Sequence, residues 1–179
     1  MRFIYCPICG SKLILKNIGD DGLTPYCDTC RQPRFDMFST CVITLVINNE
    51  GKVALLKQNY ISTEYRTLVS GYMIPGETAE EAAKREVMEE LGLRIKELRL
   101  IQTVWFKKKG MLMIAFMGYT DDTVFNISDE VDEVDEVGWF TAEEAVKLVH
   151  PKSPESASSI LTEKYLNEYN TASKNMEQI

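Results

Sequence analysis

The sequence of 179 residues has a single histidine, two tryptophans and no excess of positive charge. The one histidine, His150, precedes Pro151 in a segment that we expect to be an exposed loop. No Ser–His or Cys–His nucleophile system can therefore be built around it. With 27 acidic against 20 basic residues the formal net charge is −7, which disfavours nonspecific binding to nucleic acid. Such a chain is better suited to collecting divalent cations that meet a phosphorylated ligand.

Long apolar runs are also missing. No stretch is long enough to cross a membrane, and the first five residues lead directly into a cysteine pair, which leaves no room for an apolar signal core. We therefore expect a cytoplasmic protein with no membrane partner. Thiols stay reduced in the cytoplasm, so paired cysteines there are metal ligands more often than disulfides.

Four of the five cysteines form two C-x-x-C pairs, Cys6 with Cys9 and Cys27 with Cys30. Tetrahedral Zn²⁺ accepts four thiolates, and this spacing predicts a zinc ribbon over residues 1–36. Four protein ligands leave no open coordination position, so the predicted role of the zinc is structural. A thioredoxin-type redox pair fits less well, because there are two copies and no βαβ context. The fifth cysteine, Cys41, lies in an apolar segment and is expected to be buried and inert.

Residues 37–179 have the pattern of one α/β domain. The apolar runs 40–47 and 53–56, joined by a turn, predict a hairpin. Thr78 and Glu81 form a capping box at the start of a predicted helix, and Gly92 ends it. Further strands are predicted at 99–106, 112–119 and 134–140, and helices at 78–91, 141–149 and 154–169.

The most informative residues are three carboxylates of the first helix. Glu86, Glu89 and Glu90 lie at positions i, i+3 and i+4 and share one face. Three like charges destabilise a bare helix, and a hard divalent cation such as Mg²⁺ or Mn²⁺ removes that penalty. Arg85 and Glu77 can pair across the start of this unit and hold the carboxylates in place. Taken alone, such a cluster is more often a solvated acidic face.

The full spacing favours a metal site. From Gly71 to Leu93 the sequence reads G-x5-E-x7-R-E-U-x-E-E-x-G-U, where U is an aliphatic residue. This pattern resembles the motif of the Nudix hydrolase superfamily at every fixed position. The resemblance implies an α/β/α sandwich with a mixed sheet, in which a loop–helix–loop unit holds the catalytic metals.

The same resemblance implies roles for individual residues. Glu86 and Glu90 resemble the principal metal ligands, Glu89 a ligand or the partner of one, and the main-chain carbonyl of Ser70 or Gly71 a further ligand. Glu133, in an acidic segment before a later strand, is our candidate for an additional ligand or general base, although an acidic surface loop explains it equally well. The expected catalytic residues are Glu77, Arg85, Glu89, Glu90 and Glu133.

A zinc ribbon directly before such a domain resembles the NADH pyrophosphatase group. Phe35 lies where that group has an aromatic residue able to stack on a nucleobase. The group's Ser-Gln-Pro-Trp-Pro-Phe-Pro specificity array is absent, since residues 103–109 read T-V-W-F-K-K-K. Trp105 and Phe106 are candidates for stacking on a base, although one of them can equally belong to the core. Lys107 begins a run of three lysines that either draws an anionic substrate to the site or forms a solvated hairpin tip.

The predicted function is metal-dependent hydrolysis of a diphosphate linkage in a nucleoside diphosphate joined to another moiety. NAD(H), ADP-ribose and related dinucleotides fit this description, with mononucleotides as products, and a capped RNA 5′ end is also compatible. The alternative is a nucleotide- or RNA-cap-binding module with little turnover, which a damaged motif would have favoured. A DNA-binding regulator would need an element such as a helix-turn-helix, and the sequence has none. The resemblance implies a homodimer.

Overall fold

A computed structural model describes residues 3–127, 134–151, 153 and 156–176. It divides the chain into two units, Met1–Ser39 and Thr40–Ile179. The two units have separate β-sheets. No helix in the described part of the chain is long and apolar enough to span a membrane.

The first unit is a small antiparallel sheet with two cysteine-bearing loops. Its strands are β1 (Ile14–Asn17), β2 (Leu23–Cys27) and β3 (Gln32–Pro33), in that order across the sheet. A 3-10 turn at Gly19–Asp21 joins the first two strands. The cysteine spacing had predicted a ribbon here but not the positions of these strands.

Among the described residues, the second unit has a six-stranded sheet and three helices. Its strands are β4 (Ser39–Ile47), β5 (Val53–Lys57), β6 (Val69–Tyr72), β7 (Glu97–Phe106), β8 (Met111–Tyr119) and β9 (Glu136–Phe140). Its helices are α1 (Ala79–Leu91), α2 (Ala142–Leu148) and α3 (Ala157–Met176). The strand order is β7-β8-β4-β5-β9, and β6 also pairs with β4.

The sheet is mixed, as the family resemblance implied. At the start of β4 and β8, the Cys41 thiol donates to Met111 Sδ at 3.6 Å. Past their other ends, the Thr120 amide donates to the Ile47 carbonyl at 2.9 Å. These two neighbouring strands therefore run in the same direction, whereas the β4–β5, β4–β6, β5–β9 and β7–β8 pairs are antiparallel.

Alternate side chains of the central strands enter cores on opposite faces of the sheet, because strand side chains alternate in direction. Leu45 of β4 belongs to the core that includes Leu161 of α3. Its neighbour Val46 belongs to the core that includes Val87 of α1. All four side chains are completely buried. The second unit is thus an α/β/α sandwich, with α1 on one face and α2 and α3 on the other.

Helix α1 has the ends that its sequence predicts. The Thr78 hydroxyl accepts a hydrogen bond from the Glu81 amide at 3.2 Å, and the Glu81 carboxylate accepts one from the Thr78 amide at 2.8 Å. Gly92 ends the helix with a φ of 66°, a left-handed conformation that favours glycine. A Cβ at Gly92 would also overlap the main chain of Asn126.

The observed elements differ from the predicted ones mainly in β6, which was not predicted. Ser70 and Gly71 occupy the middle of this four-residue strand, and neither favours strands. Pairing with β4 holds the segment extended, since residues 69–72 lie opposite residues 44–41. The last helix continues to Met176, beyond the predicted end at residue 169.

Thr44 of β4 is expected to weaken this core. Its side chain is 1% exposed, and its hydroxyl has no hydrogen-bond partner among the described residues. Replacing it with valine removes the buried hydroxyl and retains the branched shape. We expect Thr44→Val to raise the free energy of unfolding by about 1 kcal/mol. Urea unfolding followed by tryptophan fluorescence measures this, because Trp105 and Trp139 both lie in the second unit.

Thr67→Val is the matched control. The Thr67 hydroxyl donates to Gln58 Oε1 at 2.7 Å, and Gln58 is 1% exposed. The same substitution there leaves a buried acceptor short of its donor, so stability should fall by about 1–2 kcal/mol. A Thr44→Val protein no more stable than the parent would contradict the prediction.

Candidate active site and metal sites

Arg85 of α1 is the centre of the candidate active site. Its Nε and Nη2 donate to the two oxygens of Glu77 at 3.0 and 2.8 Å. Its Nη1 donates to Glu86 at 2.8 Å and to Glu89 at 2.9 Å. Nη2 also reaches the Tyr72 carbonyl at 3.1 Å, which ties the helix to the end of β6. The Arg85–Glu77 pairing anticipated from the sequence is therefore present.

Glu77 is held by the loop between β6 and α1 as well as by Arg85. The Ile74 amide donates to its Oε1 at 2.7 Å, and the Glu77 side chain is only 11% exposed. The Arg85 guanidinium and the Ile74 amide hold the pKa of Glu77 below its ordinary value, because both stabilise the carboxylate. Glu77 is thus a fixed negative group rather than one that exchanges protons near neutral pH.

Glu86 lies in a space that exists because residue 71 is glycine. A Cβ at Gly71 would overlap the Glu86 carboxylate, which packs directly against the β6 backbone. Glu86 is 9% exposed, and burial raises its pKa, although Arg85 acts in the opposite direction. A buried carboxylate whose charged form is under-solvated is a favourable ligand for a hard cation.

The three predicted metal-binding carboxylates have different environments. Glu86 and Glu90 are buried, whereas the Glu89 side chain is 53% exposed. This follows from position, since residues 86 and 90 flank the apolar stripe of α1 and residue 89 lies further round the helix. The donor set is three carboxylates on one side of α1, with Glu86 against the β6 backbone at Gly71. It has the hard oxygen chemistry that Mg²⁺ and Mn²⁺ require.

The carboxylates do not form a closed coordination shell in this conformation. In the described part of the chain, the cysteine quartet is the one group of three or more potential ligands close enough to share an ion. Glu86 and Glu89 instead direct oxygens at the Arg85 guanidinium. Arg85 neutralises part of the negative charge that a divalent cation would otherwise compensate. Glu133, the predicted additional ligand or base, lies outside the described residues.

The predicted base-stacking residues are placed differently from one another. Trp105 of β7 is 48% exposed, and Phe106 is half-buried. Lys107 begins the exposed turn at residues 107–110 that joins β7 to β8. Phe35, in the first unit, is 54% exposed. A hairpin tip at the lysine run is thus confirmed, and Trp105 is not a core residue.

The cysteine quartet is compact enough to bind one tetrahedral ion. Cys9 Sγ lies 3.5 Å from Cys27 Sγ, and Cys6 Sγ lies 3.9 Å from Cys30 Sγ. All four sulfurs lie within 4.8 Å of one another. Tetrahedral zinc with Zn–S bonds near 2.3 Å requires about 3.8 Å between sulfurs. The four thiols are free, so this spacing is not produced by disulfides.

Arg34, which the sequence analysis did not identify as a site residue, places a positive charge beside the cysteine quartet. Burial tends to raise the pKa of Cys6, but the Arg34 guanidinium at 3.3 Å and nearby backbone amides lower it to about 5. Hydrogen bonding with Cys9, followed by burial, raises the pKa of Cys30. Such a group binds a cation readily and releases protons on doing so.

The sequence and fold of the chain are similar to those of known proteins. A family model described as NUDIX domain matches residues 37–161. The chain is 30% identical over 154 residues to a NAD-capped RNA hydrolase NudC of Erwinia tasmaniensis, covering 82% of this chain and 54% of that protein. It is 26% identical over 148 residues to the protein of the same description in Photobacterium profundum, covering 83% and 53%. The chain spans about half the length of these curated relatives.

Solved structures show the same fold. A NUDIX hydrolase from Nitrosomonas europaea has a TM-score of 0.66 at 24% identity and covers 92% of both chains. A NUDIX-family hydrolase from Clostridium perfringens has a TM-score of 0.58 at 17% identity, covering 74% of this chain and 98% of that one.

The contact between Gly71 and Glu86 predicts a specific coupling. Gly71→Ala should lower the free energy of unfolding by about 1–3 kcal/mol, because the new methyl group displaces a packed carboxylate. In a Glu86→Ala background the same change should cost much less, since the group that it displaces is absent. Urea unfolding of the parent, both single variants and the double variant measures this coupling. Equal costs in the two backgrounds would show that the contact is not the cause.

Proposed function

The chain belongs to the NUDIX domain family of hydrolases, and on that basis we propose that it cleaves the diphosphate linkage of a NAD-type substrate in a metal-dependent reaction. NAD(H), ADP-ribose, a related dinucleotide and a NAD-linked RNA 5′ end all contain this linkage, and its hydrolysis gives two monophosphates, of which at least one is a mononucleotide unit. The observation that carries the proposal is that Arg85 contacts Glu77, Glu86 and Glu89, and that Glu86 packs against the backbone of Gly71. These five residues occupy fixed positions of the family motif. The names of the curated relatives support the NAD-type substrate.

We propose that Glu86, Glu89 and Glu90 hold Mg²⁺ or Mn²⁺, together with a main-chain carbonyl of Ser70 or Gly71. When bound, such an ion would neutralise charge on the diphosphate oxygens and lower the pKa of a water molecule, so that the water would lose a proton and attack phosphorus as hydroxide. Arg85 and Glu77 orient the carboxylates by their hydrogen bonds. Glu133 remains our proposed additional ligand or base, as the residue that would take the proton of the attacking water.

Recognition of the base is assigned to aromatic side chains. We propose that Trp105 stacks on a base of the substrate, because its indole is half-exposed on β7. Phe106 is the weaker candidate, since it is partly buried. Phe35 remains a proposed stacking residue on the basis of its exposed ring and the family resemblance. Homodimer formation stays a prediction from that resemblance.

Substrate choice is tested with a panel. NADH, NAD, ADP-ribose, FAD, diadenosine polyphosphates, nucleoside triphosphates and a NAD-linked oligoribonucleotide are incubated with Mg²⁺ or Mn²⁺, and the products are identified by mass. Cleavage between the two phosphorus atoms of a NAD-type compound supports the proposal. Turnover confined to nucleoside triphosphates, or no turnover of any member, would contradict it.

The roles of the helix carboxylates give a sharper expectation. Glu89→Gln and Glu90→Gln should each lower kcat by at least about a hundredfold, because the amide neither carries the charge nor matches the ligand strength of the carboxylate. Glu80→Gln is the matched control, since Glu80 is exposed in the first turn of the same helix. Rates measured against Mg²⁺ concentration should show a raised metal requirement in the first two variants. Unchanged rates in both of them would contradict the metal-site assignment.

We also propose that the cysteine quartet holds a structural zinc ion. The purified protein should contain about one zinc per chain by elemental analysis, because the sulfur spacing fits tetrahedral coordination. Cys27→Ser should lose most of that zinc, whereas Cys41→Ser should retain it, as Cys41 is buried in β4. Zinc retained in Cys27→Ser at the parent level would refute the site.

A further inference from the structure

The β7–β8 hairpin is unlike the rest of the chain in its charge. Residues 98–118 contain Arg99 and the three lysines 107–109 and no acidic residue, in a protein whose net charge is −7. The lysines are all exposed at the tip, where the Lys109 amide bonds to the Phe106 carbonyl at 3.2 Å. A basic projection of this kind on an acidic protein attracts a polyanion locally rather than over the whole surface.

A β-bulge determines which way the aromatic residue of this hairpin points. Leu100 pairs with Phe116 and Gln102 with Ala115, so one extra residue is accommodated in β7. Beyond the bulge Trp105 lies opposite Leu112. Leu112 and Phe116 are four residues apart on one strand and therefore share a face. Phe116 packs in the core with Ala83 of α1, so the exposed indole lies on the side of the sheet that carries the carboxylate helix.

The lysine tip is at the same end of the sheet as the carboxylates. Cys41 of β4 contacts Met111, the first residue of β8, and pairs on its other side with Tyr72. Only β4 separates β8 from β6, which places the two strands about 10 Å apart. The Tyr72 carbonyl accepts a hydrogen bond from Arg85, the residue that contacts the carboxylates. The charges of both Lys109 and Glu86 act on the pKa of the Cys41 thiol, which burial raises to about 11.

We propose that this hairpin is a contact site for a single RNA strand joined to the diphosphate, with Lys107, Lys108 and Lys109 on its phosphates and Trp105 under a base. Aromatic stacking combined with a basic surface is the recurrent way in which proteins bind single strands without reading their sequence. The inference rests on the proposed function and extends it, since the same site would favour a substrate that continues into a nucleic acid over a free dinucleotide.

The binding arm of the test needs no catalysis. A 12-nucleotide single-stranded oligoribonucleotide with a 5′ hydroxyl and a 3′ fluorophore is titrated with the full chain, and anisotropy is followed from about 50 to 200 mM NaCl. The triple variant Lys107→Gln/Lys108→Gln/Lys109→Gln should bind at least about tenfold more weakly. Its slope of log Kd against log salt concentration should be smaller by about 2, because three contacts on a single strand contribute about 0.7 each.

Two further variants make the binding arm specific. Lys52→Gln/Lys147→Gln/Lys164→Gln removes the same charge from the β4–β5 turn and from α2 and α3, on other parts of the same unit. This control variant should bind the oligoribonucleotide within about twofold of the parent affinity and with the same salt slope as the parent. Trp105→Ala should weaken binding by about tenfold with little change in slope, because stacking is not an ionic contact. Urea unfolding verifies that each variant is folded.

The catalytic arm compares kcat/KM for a NAD-linked 12-mer with that for free NAD. In the hairpin triple variant, kcat/KM for the NAD-linked 12-mer divided by kcat/KM for free NAD should be about tenfold lower than in the parent. In the control triple variant this ratio should be unchanged. An unchanged ratio, or parent-like oligonucleotide binding by the hairpin variant, overturns the inference. If the parent cleaves neither compound but cleaves another NAD-type member of the substrate panel, parent-like anisotropy binding by the hairpin variant overturns the inference on its own. No turnover of any panel member would instead refute the proposed function, and the anisotropy titration would still decide whether the hairpin binds RNA.

Discussion

The hydrogen bonds of Arg85 are the interaction on which the candidate active site depends. Glu77, Glu86 and Glu89 would repel one another if left alone, and two of them have little solvent to screen their charge. The planar guanidinium donates two parallel hydrogen bonds to Glu77, and its Nη1 group donates one more to Glu86 and one to Glu89. A lysine at this position would present one point charge and could not hold three carboxylates in fixed directions. The same residue ties α1 to the Tyr72 carbonyl, so loop, helix and strand are positioned together.

Features that depend on nearby residues could be predicted from the sequence. The capping box of Thr78 and Glu81 and the stop at Gly92 define α1 because each is a contact within four residues. The two C-x-x-C pairs indicated a quartet for a similar reason, since each pair is already preorganised by its own turn. The fold class followed from the motif resemblance, and the mixed sheet and the two helical layers agree with it.

Features that depend on contacts between residues far apart in the chain could not be predicted from the sequence. β6 is a strand only because β4 lies beside it, and the serine and glycine in its middle carry no strand signal of their own. Spacing placed Glu86, Glu89 and Glu90 on one face but could not show that two are buried and one is exposed. The space for Glu86 comes from the missing side chain of Gly71, a contact between residues fifteen positions apart that only the packed structure reveals.

The extra residue in β7 has a consequence for how such a protein diversifies. Because strand side chains alternate, gaining or losing one residue at a bulge exchanges the inward and outward sets for everything that follows. A single-codon insertion or deletion near Ile101 would turn Trp105 to the opposite surface without altering a residue of α1. The hairpin can thus gain or lose an exposed aromatic residue on the α1 side of the sheet through such a change, while the sequence of α1 and its carboxylates is inherited intact.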